Sequence, residues 1–188
     1  MTHSNAKAAS FLIDNLGLFN DLQITGGVLD LACGRGRNGL FLVSHNVPVV
    51  FADNNEAHLQ FIQEALNETS PNAGQSECCL IDFEVGQGDD RNPLAGKVFD
   101  AVMVFNYLHR PLFPAIKEAI RPGGLIVYET FNLEQKKFGR PSNPDYLLQA
   151  GELRQAFEGW EIISEFEGEA SDPERAISRL IARRPAEK

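Results

Sequence analysis

The sequence has few cysteines, a shortage of positive charge and no long hydrophobic run. Its 188 residues include three cysteines, Cys33, Cys78 and Cys79. Two of them are adjacent, which rarely allows pairing, and no Cys-x-x-Cys motif occurs. We therefore predict reduced thiols, typical of a cytoplasmic protein, and neither a disulfide framework nor a metal site.

Lysine and arginine number 17 against 26 aspartate and glutamate residues, which leaves a net charge of −9. A nucleic-acid surface needs cationic side chains to neutralise phosphates, so this balance argues against a nucleic-acid partner. No apolar run approaches the length of a membrane-spanning helix, and the first ten residues lack a secretion-signal pattern. We expect no membrane partner and a cytoplasmic location, while the oligomeric state stays open.

The chain also lacks internal repeats, low-complexity segments and linkers. Its length suits one domain with a sizeable core, so we predict a single domain over residues 1–188. Within it, residues 1–22 form an N-terminal helical segment with a helix at 5–19, and residues 183–188 a frayed tail. The helix would either pack on the edge of the sheet, which we favour, or cover a ligand.

Hydrophobic periodicity predicts seven strands joined by helices. The strands are expected at residues 28–32, 49–52, 77–81, 99–105, 125–130, 160–166 and 175–182, and the helices after the first strand at 37–44, 55–66, 112–120 and 151–157. The last two strands are too close for a helical crossover and should pair antiparallel. The predicted fold class is α/β: a Rossmann-like three-layer α/β/α sandwich whose seven-stranded, mostly parallel sheet has its last strand antiparallel.

Several connections carry their own signals. An Arg-Pro-Gly-Gly breaker is expected at residues 121–124, an acidic turn at 168–174, and loops at 69–74 and 84–97. The connection over residues 131–146 is long for a compact α/β domain, and loops of that length are often functional.

The most informative stretch is residues 27–39, GVLDLACGRGRNG. A buried strand runs into a turn where Gly34 and Gly36 let the backbone bend sharply and present N–H groups to a ligand. With Gly39 the spacing also fits the dinucleotide fingerprint, which alone is a weak signal. A carboxylate such as Asp30 in an apolar strand is costly without a partner. It would repel a pyrophosphate and attract S-adenosylmethionine (SAM), which carries an ammonium and a sulfonium.

Acidic residues also follow the next two strands. Asp53 lies where an acidic side chain can accept both hydroxyls of a ribose, or it caps the next helix together with Asn54. Asp82 and Phe83 could hold an adenine, or they form an exposed turn beside a core ring. The carboxyl ends of parallel strands meet at one edge of a sheet. The residues expected to converge there are Asp30, Gly34, Gly36, Asp53, Asp82 and Asn106.

These motifs resemble those of the class I SAM-dependent methyltransferases: VLDLACGRG at residues 28–36, Asp53, Asp82, and RPGGLIVYE at 121–129. More narrowly, residues 29–42 and 128–153 are similar to small bacterial methyltransferases related to the TehB tellurite-resistance group. The likeness covers nearly the whole chain, although Ala32 stands where the family often has glycine. It implies SAM as methyl donor and S-adenosylhomocysteine (SAH) as product.

The resemblance also implies roles at the cofactor site. Asp30 and the backbone around Ala32 and Gly34 would hold the methionine moiety, with Phe105 and Asn106 at its border. Asp53 would hold the ribose, and Asp82 with Phe83 the adenine. The expected cofactor-binding residues are Asp30, Ala32, Gly34, Gly36, Asp53, Asn54, Asp82, Phe83, Phe105 and Asn106.

The acceptor side is less determined. Transfer of a methyl group from a sulfonium depends mainly on how the enzyme orients the acceptor and the cofactor, and the sequence shows no catalytic dyad. His109 is the best candidate for a general base, although hydrogen bonding within its loop is favoured. Arg140 with Lys136 and Lys137 forms a positive cluster that could attract an anionic substrate, or is simply solvated. The acceptor itself could be an anion, a thiol or a chalcogen oxyanion. The residues expected to line the acceptor pocket are Tyr107, Tyr128, Arg140 and Tyr146.

Two other functions fit parts of the sequence. A nicotinamide-dependent oxidoreductase would use the glycine spacing and Asp53, but Asp30 and the absence of a Tyr-x-x-x-Lys pair oppose it. A non-catalytic SAM-binding sensor would keep the same cofactor residues, and no sequence feature excludes it. We favour methyl transfer to a small-molecule acceptor.

Overall fold

The chain folds around one seven-stranded sheet, seen in a computed structural model that describes residues 7–69, 75–84 and 92–186. The strands are β1 (Val28–Leu31), β2 (Val49–Asp53), β3 (Glu77–Leu80), β4 (Phe99–Phe105), β5 (Ile120–Phe131), β6 (Glu161–Ser171) and β7 (Glu174–Arg183). The helices are α1 (Ser10–Asp14), α2 (Gly17–Asn20), α3 (Arg37–Val43), α4 (Glu56–Thr69), α5 (Phe113–Ala119) and α6 (Glu152–Ala156). Short 3-10 helices occur at Arg110–Leu112, Leu133–Lys137 and Pro144–Tyr146.

The strands are ordered β3-β2-β1-β4-β5-β7-β6 across the sheet. The first five are parallel to one another, whereas β7 runs antiparallel to both β5 and β6. The predicted fold class is therefore confirmed. Strand order reverses at β1, which has β2 on one side and β4 on the other, and ligands of such sheets bind at that reversal, beyond the carboxyl ends of the strands.

Two hydrophobic clusters cover the two faces of the sheet. One includes Leu12 of α1 and Ile62 of α4, and the other includes Ile116 of α5 and Leu153 of α6. From Ala101 to Phe105, consecutive residues of β4 alternate between the clusters, and all seven residues of the strand are buried, because this central strand is covered on both faces. This arrangement is the three-layer sandwich.

The predicted N-terminal helix is divided into α1 and α2, because Gly17 begins a second helix instead of ending the first. Phe11 and Leu12 are buried in the core. The described part of the segment thus packs on a face of the sheet, whereas we expected packing on its edge; residues 1–6 lie outside the described residues.

Two predicted connections are wrong. The predicted breaker at 121–124 lies within β5, because Gly123 and Gly124 form backbone hydrogen bonds with Arg184 that keep this segment in the sheet. The predicted acidic turn at 168–174 is mostly strand, and only Asp172 and Pro173 separate β6 from β7. Strand β6 lies at the sheet edge and is mostly exposed, so its polar residues conceal its periodicity.

The remaining expected element ends differ from the observed ones by at most a few residues, as is usual for helix and strand termini. Parts of the expected loops at 69–74 and 84–97 lie outside the described residues. The expected frayed tail begins instead within β7, which ends at Arg183, and residues 187–188 lie outside the described range.

Candidate cofactor and acceptor site

The chain leaves β1 through a turn in which Ala32, Gly34 and Gly36 all have left-handed backbone conformations, with φ of 52°, 55° and 71°. No atom lies within 4 Å of the position that a Cβ would take at Gly34, so the backbone there faces open space. A Cβ at Gly36 would lie 2.8 Å from the Ile62 side chain. Ala32 adopts the same region at a cost of about 1–2 kcal/mol.

Asp30 is buried, and its Oδ2 accepts a hydrogen bond of 2.9 Å from the Gly39 N–H. Burial raises the pKa of Asp30 from 3.8 to about 7, although the Gly39 N–H and the charge of Arg37 act in the opposite direction. Glycine is needed at position 39, because a Cβ there would lie 2.2 Å from the Phe51 ring. At neutral pH the Asp30 carboxyl is therefore near its midpoint, and a nearby cation would favour its ionised form.

Asp53, at the end of β2, joins the turn to the second strand. Its Oδ2 accepts the Gly34 N–H at 2.8 Å, and its Oδ1 accepts the Asn55 N–H at 3.0 Å. The cap of α4 is Asn55, whose own side chain accepts from the first turn of that helix. Asp53 is therefore not the helix cap, and its Oδ2 keeps a lone pair for a ligand hydroxyl. The ribose role stays a prediction, as does a role for the exposed Asn54.

A cavity of about 310 Å³ opens beside this turn, and we refer to it as the glycine-turn cleft. It is lined by Asp30, Ala32, Cys33, Gly34, Arg35, Arg37, Asn38, Phe105 and Asn106. Five of the expected cofactor residues thus share one cleft: Asp30, Ala32, Gly34, Phe105 and Asn106. Gly36 is buried beneath the turn, and Asp53 reaches the cleft through its bond to Gly34.

Sequence reasoning missed two polar residues of α3 that line this cleft. The Oδ1 atom of the buried Asn38 accepts a hydrogen bond of 2.9 Å from the Ala9 N–H. The Arg37 guanidinium donates to the carbonyl of Lys7 at 3.2 Å. Their position in the first helical turn after the glycines was the available signal. They connect the N-terminal segment to the margin of the cleft.

The expected adenine residues lie outside this cleft. Asp82 is exposed, and its Oδ1 accepts the N–H of Glu84 at 2.9 Å. Phe83 is buried in the core, so its expected stacking on adenine does not fit the structure. The alternative of a core ring beside an exposed turn therefore describes Phe83, while the adenine role of Asp82 stays a prediction.

A second cavity, of about 240 Å³, meets the glycine-turn cleft at Asn106, whose φ is 55°. We call it the tyrosine cavity, and it is lined by Glu84, Asn106, Tyr107, Leu108, Thr130, Phe131, Pro141 and Tyr146. A third cavity of about 310 Å³, the outer cavity, shares Glu84, Leu108 and Tyr146 with it. His109 lines the outer cavity together with Arg110, Pro111 and Asp145.

Two of the four expected acceptor residues, Tyr107 and Tyr146, line the tyrosine cavity. Tyr128 does not, because it is buried in the core and its hydroxyl donates to the Tyr107 carbonyl at 2.9 Å. Tyr128 therefore contacts the backbone of Tyr107 from the core and does not line the acceptor pocket, which corrects the prediction. The sequence placed Tyr128 on the right strand but could not give the face on which it lies.

Arg140 does not line the tyrosine cavity either, although Pro141 next to it does. Arg140 is exposed, and its carbonyl accepts from the Gln135 side chain. The Lys137 ammonium, in the expected positive cluster, pairs with Glu134 and Glu169. The cluster therefore presents less free positive charge than its sequence suggests.

The loop that supplies Pro141 and Tyr146 is closed at its base. The Leu148 N–H donates to the Phe131 carbonyl at 2.9 Å, and the Leu133 N–H donates to the Leu148 carbonyl at 3.1 Å. We call residues 132–148 the acceptor loop. The two ends of this loop therefore lie next to each other.

Arg110 holds the acceptor loop from the β4 side. Its guanidinium donates to both carboxylate oxygens of Glu152, at 2.6 and 3.0 Å, and to the carbonyls of Asp145 and Leu147, each at 2.8 Å. The hydrogen bond and charge of Glu152 raise the pKa of Arg110. The guanidinium therefore stays positively charged, and the carboxylate of Glu152 balances that charge. Sequence reasoning missed this contact, since 42 residues separate its partners.

Gln135 anchors the same loop to β7. It is buried, and its Oε1 accepts the Ala176 N–H at 2.8 Å.

In the described part of the chain, no group of three His, Cys, Asp or Glu side chains is arranged to hold a metal ion. Over those same residues, no helix has the length and apolar character needed to cross a membrane.

A family model described as tellurite resistance protein TehB matches residues 20–172. No curated protein sequence matches the chain. The structure of TehB from Haemophilus influenzae is similar, with a TM-score of 0.72 and 18% identity. That similarity covers 94% of this chain and 62% of the other, so the chain spans about three fifths of that protein's length.

Two further solved structures match at comparable levels. The glycopeptide N-methyltransferase MtfA complexed with SAH has a TM-score of 0.67 and 16% identity, over 96% of this chain and 91% of that one. Magnesium protoporphyrin IX methyltransferase from Synechocystis PCC 6803 with bound SAH has a TM-score of 0.68 and 16% identity, over 93% and 80%. At such identities the likeness establishes a shared fold.

Proposed function

The chain belongs to the tellurite resistance protein TehB family, and from this premise we propose that it is a SAM-dependent methyltransferase acting on a small-molecule acceptor. The observation that carries the proposal is the buried carboxyl of Asp30, which has a pKa of about 7 and lines an open cleft beside a glycine turn. Such a group gains most from a cationic ligand, because a cation offsets its burial.

The residues present fit this cofactor. The Oδ2 atom of Asp30 accepts the hydrogen bond from the Gly39 N–H. Its other carboxylate oxygen accepts no hydrogen bond from a described residue, so an ammonium could bind there without displacing a donor. Gly34 leaves open space where a side chain would fill the cleft. Asp30 and the backbone from Ala32 to Gly34 would hold the methionine part, while Asp53 and Asp82 would reach the ribose and adenine. MtfA, a protein of this fold, is known with SAM and with SAH.

When bound, SAM supplies a methyl group that its sulfonium already activates. The chain's task is to place the acceptor against it, and Asn106 stands where the glycine-turn cleft meets the tyrosine cavity. Orientation of this kind can supply about 7–11 kcal/mol of the barrier. His109 lines the outer cavity, so we assign it no role as a general base.

Calorimetric titration with SAM, SAH and NAD tests the proposal. We expect micromolar binding of SAM and SAH, about −8 kcal/mol, and no binding of NAD. SAH affinity should rise between pH 6 and pH 8, because only the ionised Asp30 carboxyl attracts the ammonium of SAH. At pH values below the pKa of Asp30, the rise should not exceed about tenfold per pH unit.

The Asp30→Asn variant provides the control, since its SAH affinity should be weak and lack this component of the pH dependence. Binding of NAD alone would contradict the proposal, as would wild-type SAH affinity in the variant. Formation of SAH from SAM with small acceptors would separate an enzyme from a SAM sensor, which would bind SAM without turnover.

A further inference from the structure

The charge of the tyrosine cavity bears on the acceptor. Glu84 is the one carboxylate residue among its described lining residues, and none of them is a lysine, arginine or histidine. The outer cavity contains Arg110, but Glu152 and two carbonyls already occupy that guanidinium. Asp145 also lines the outer cavity. An anionic acceptor would therefore meet carboxylates in both cavities.

The remaining lining is aromatic and apolar. Tyr107, Phe131 and Tyr146 contribute rings, and aromatic faces attract cations as well as apolar groups. The Tyr107 hydroxyl is buried and has no hydrogen-bond partner among the described residues. Burial, followed by the charge of the nearby Glu84 carboxylate, raises the pKa of Tyr107. This hydroxyl therefore stays protonated and lies close to the Glu84 carboxylate.

We propose that the tyrosine cavity binds an amine attached to an aromatic or apolar group, with Glu84 holding the nitrogen. The proposal rests on the methyltransferase function proposed above and specifies its acceptor. A volume of about 240 Å³ is enough for a small molecule of this kind. An oxyanion such as tellurite lacks the apolar group and carries the wrong charge for this lining.

The transfer places developing positive charge next to Glu84. The bound ammonium first releases a proton to water; the lone pair of the resulting neutral nitrogen then forms the bond to the methyl carbon, while the bond from that carbon to sulfur breaks and its electron pair stays on sulfur. The product is an N-methylammonium, which later releases a proton to water, together with SAH. A carboxylate beside the nitrogen stabilises the charge as it appears there, and so favours the transition state over the neutral reactant.

Two probes of similar shape and opposite charge test the proposal: phenethylamine and hydrocinnamate. Each is titrated into the full chain saturated with SAH, and tellurite is titrated in parallel. We expect phenethylamine to bind at least tenfold more tightly than either anion. The Glu84→Gln variant should lose about tenfold in phenethylamine affinity, equivalent to 1.4 kcal/mol, without weakening hydrocinnamate. Glu158→Gln makes the same charge change at an exposed residue outside these cavities and should change neither.

Tighter binding of hydrocinnamate or tellurite would overturn the proposal. So would unchanged phenethylamine affinity in Glu84→Gln, or no binding of phenethylamine at millimolar concentration. The SAH titration that precedes each experiment keeps the two proposals apart, because a failure of SAH to bind contradicts the proposed function. Normal SAH binding with any of the preceding results contradicts the acceptor assignment alone.

Discussion

The glycine-turn cleft and the tyrosine cavity meet at Asn106 but are built in different ways. The cleft depends on short turns at strand ends, where single carboxylates bind nearby N–H groups, as Asp30 does with Gly39 and Asp53 with Gly34. The cavity depends on the acceptor loop, which Arg110 and Gln135 fix through contacts that cross 35 to 42 residues. A changed carboxylate should therefore affect the cleft alone, and a changed anchor the cavity alone.

Asp30→Asn should give the largest effect. The folded carboxyl keeps its proton up to a pH of about 7 and the unfolded one only to about 4, so the wild-type protein loses stability as the pH rises between these values. At pH 8, asparagine should raise the free energy of unfolding by about 2–4 kcal/mol, while the loss of charge weakens SAH by about 2–4 kcal/mol.

Urea unfolding at pH 4 and pH 8, together with SAH calorimetry, measures both effects. The gain in stability should be confined to the higher pH. A variant that is less stable than the wild-type protein at pH 8 would show that the buried carboxyl is not a cost to the fold.

Asp53→Ala should come next. It removes the acceptor of the Gly34 N–H, and we expect a loss of about 1–3 kcal/mol in SAH binding because buried polar groups stay unpaired. Asn55→Ala is the matched control, since it removes the cap of α4, costs about 1 kcal/mol of stability and leaves SAH affinity unchanged. Equal SAH affinity in Asp53→Ala and the wild-type protein would exclude Asp53 from the cofactor site.

Arg110→Met tests the other side of the comparison. Loss of a partly exposed network should destabilise the chain by about 1–2 kcal/mol and loosen the acceptor loop, with SAH affinity unchanged. Hydrogen exchange at the amides of Leu133 and Leu148 measures the loosening. Arg140→Ala changes an exposed arginine of the same loop and should leave this exchange unchanged. If SAH affinity fell with Arg110→Met, the two sides would not be independent.

Ala32→Gly should give the smallest effect. Glycine adopts the observed φ of 52° without a Cβ penalty, so we expect a gain of about 0.5–1 kcal/mol, or a few degrees in Tm. Ala57→Gly, at an exposed position in α4, should instead lower Tm, because glycine disfavours a helix. Thermal unfolding of both variants measures the difference, and a loss of stability in Ala32→Gly would show that the turn is unstrained.

The difference between local turns in the glycine-turn cleft and long-range contacts around the tyrosine cavity also explains which features the sequence predicts. The strands, the glycine turn and the burial of Asp30 follow from local periodicity and from the cost of a carboxylate in an apolar strand. The faces occupied by Phe83 and Tyr128 do not, since a ring near the end of a strand can serve the core or a ligand equally well. The Arg110–Glu152 contact depends on tertiary folding, and no local pattern marks it.

The closed base of the acceptor loop has a consequence for how such a chain changes over time. The hydrogen bonds of Leu148 with Phe131 and Leu133 make the ends of the loop neighbours, so its length can vary while β5 and α6 stay in place. Doubling the length of a flexible loop costs only about 0.6 kcal/mol in closure entropy. Under the proposed function, replacing the segment between those ends would change the lining of the tyrosine cavity and leave the glycine-turn cleft unaltered.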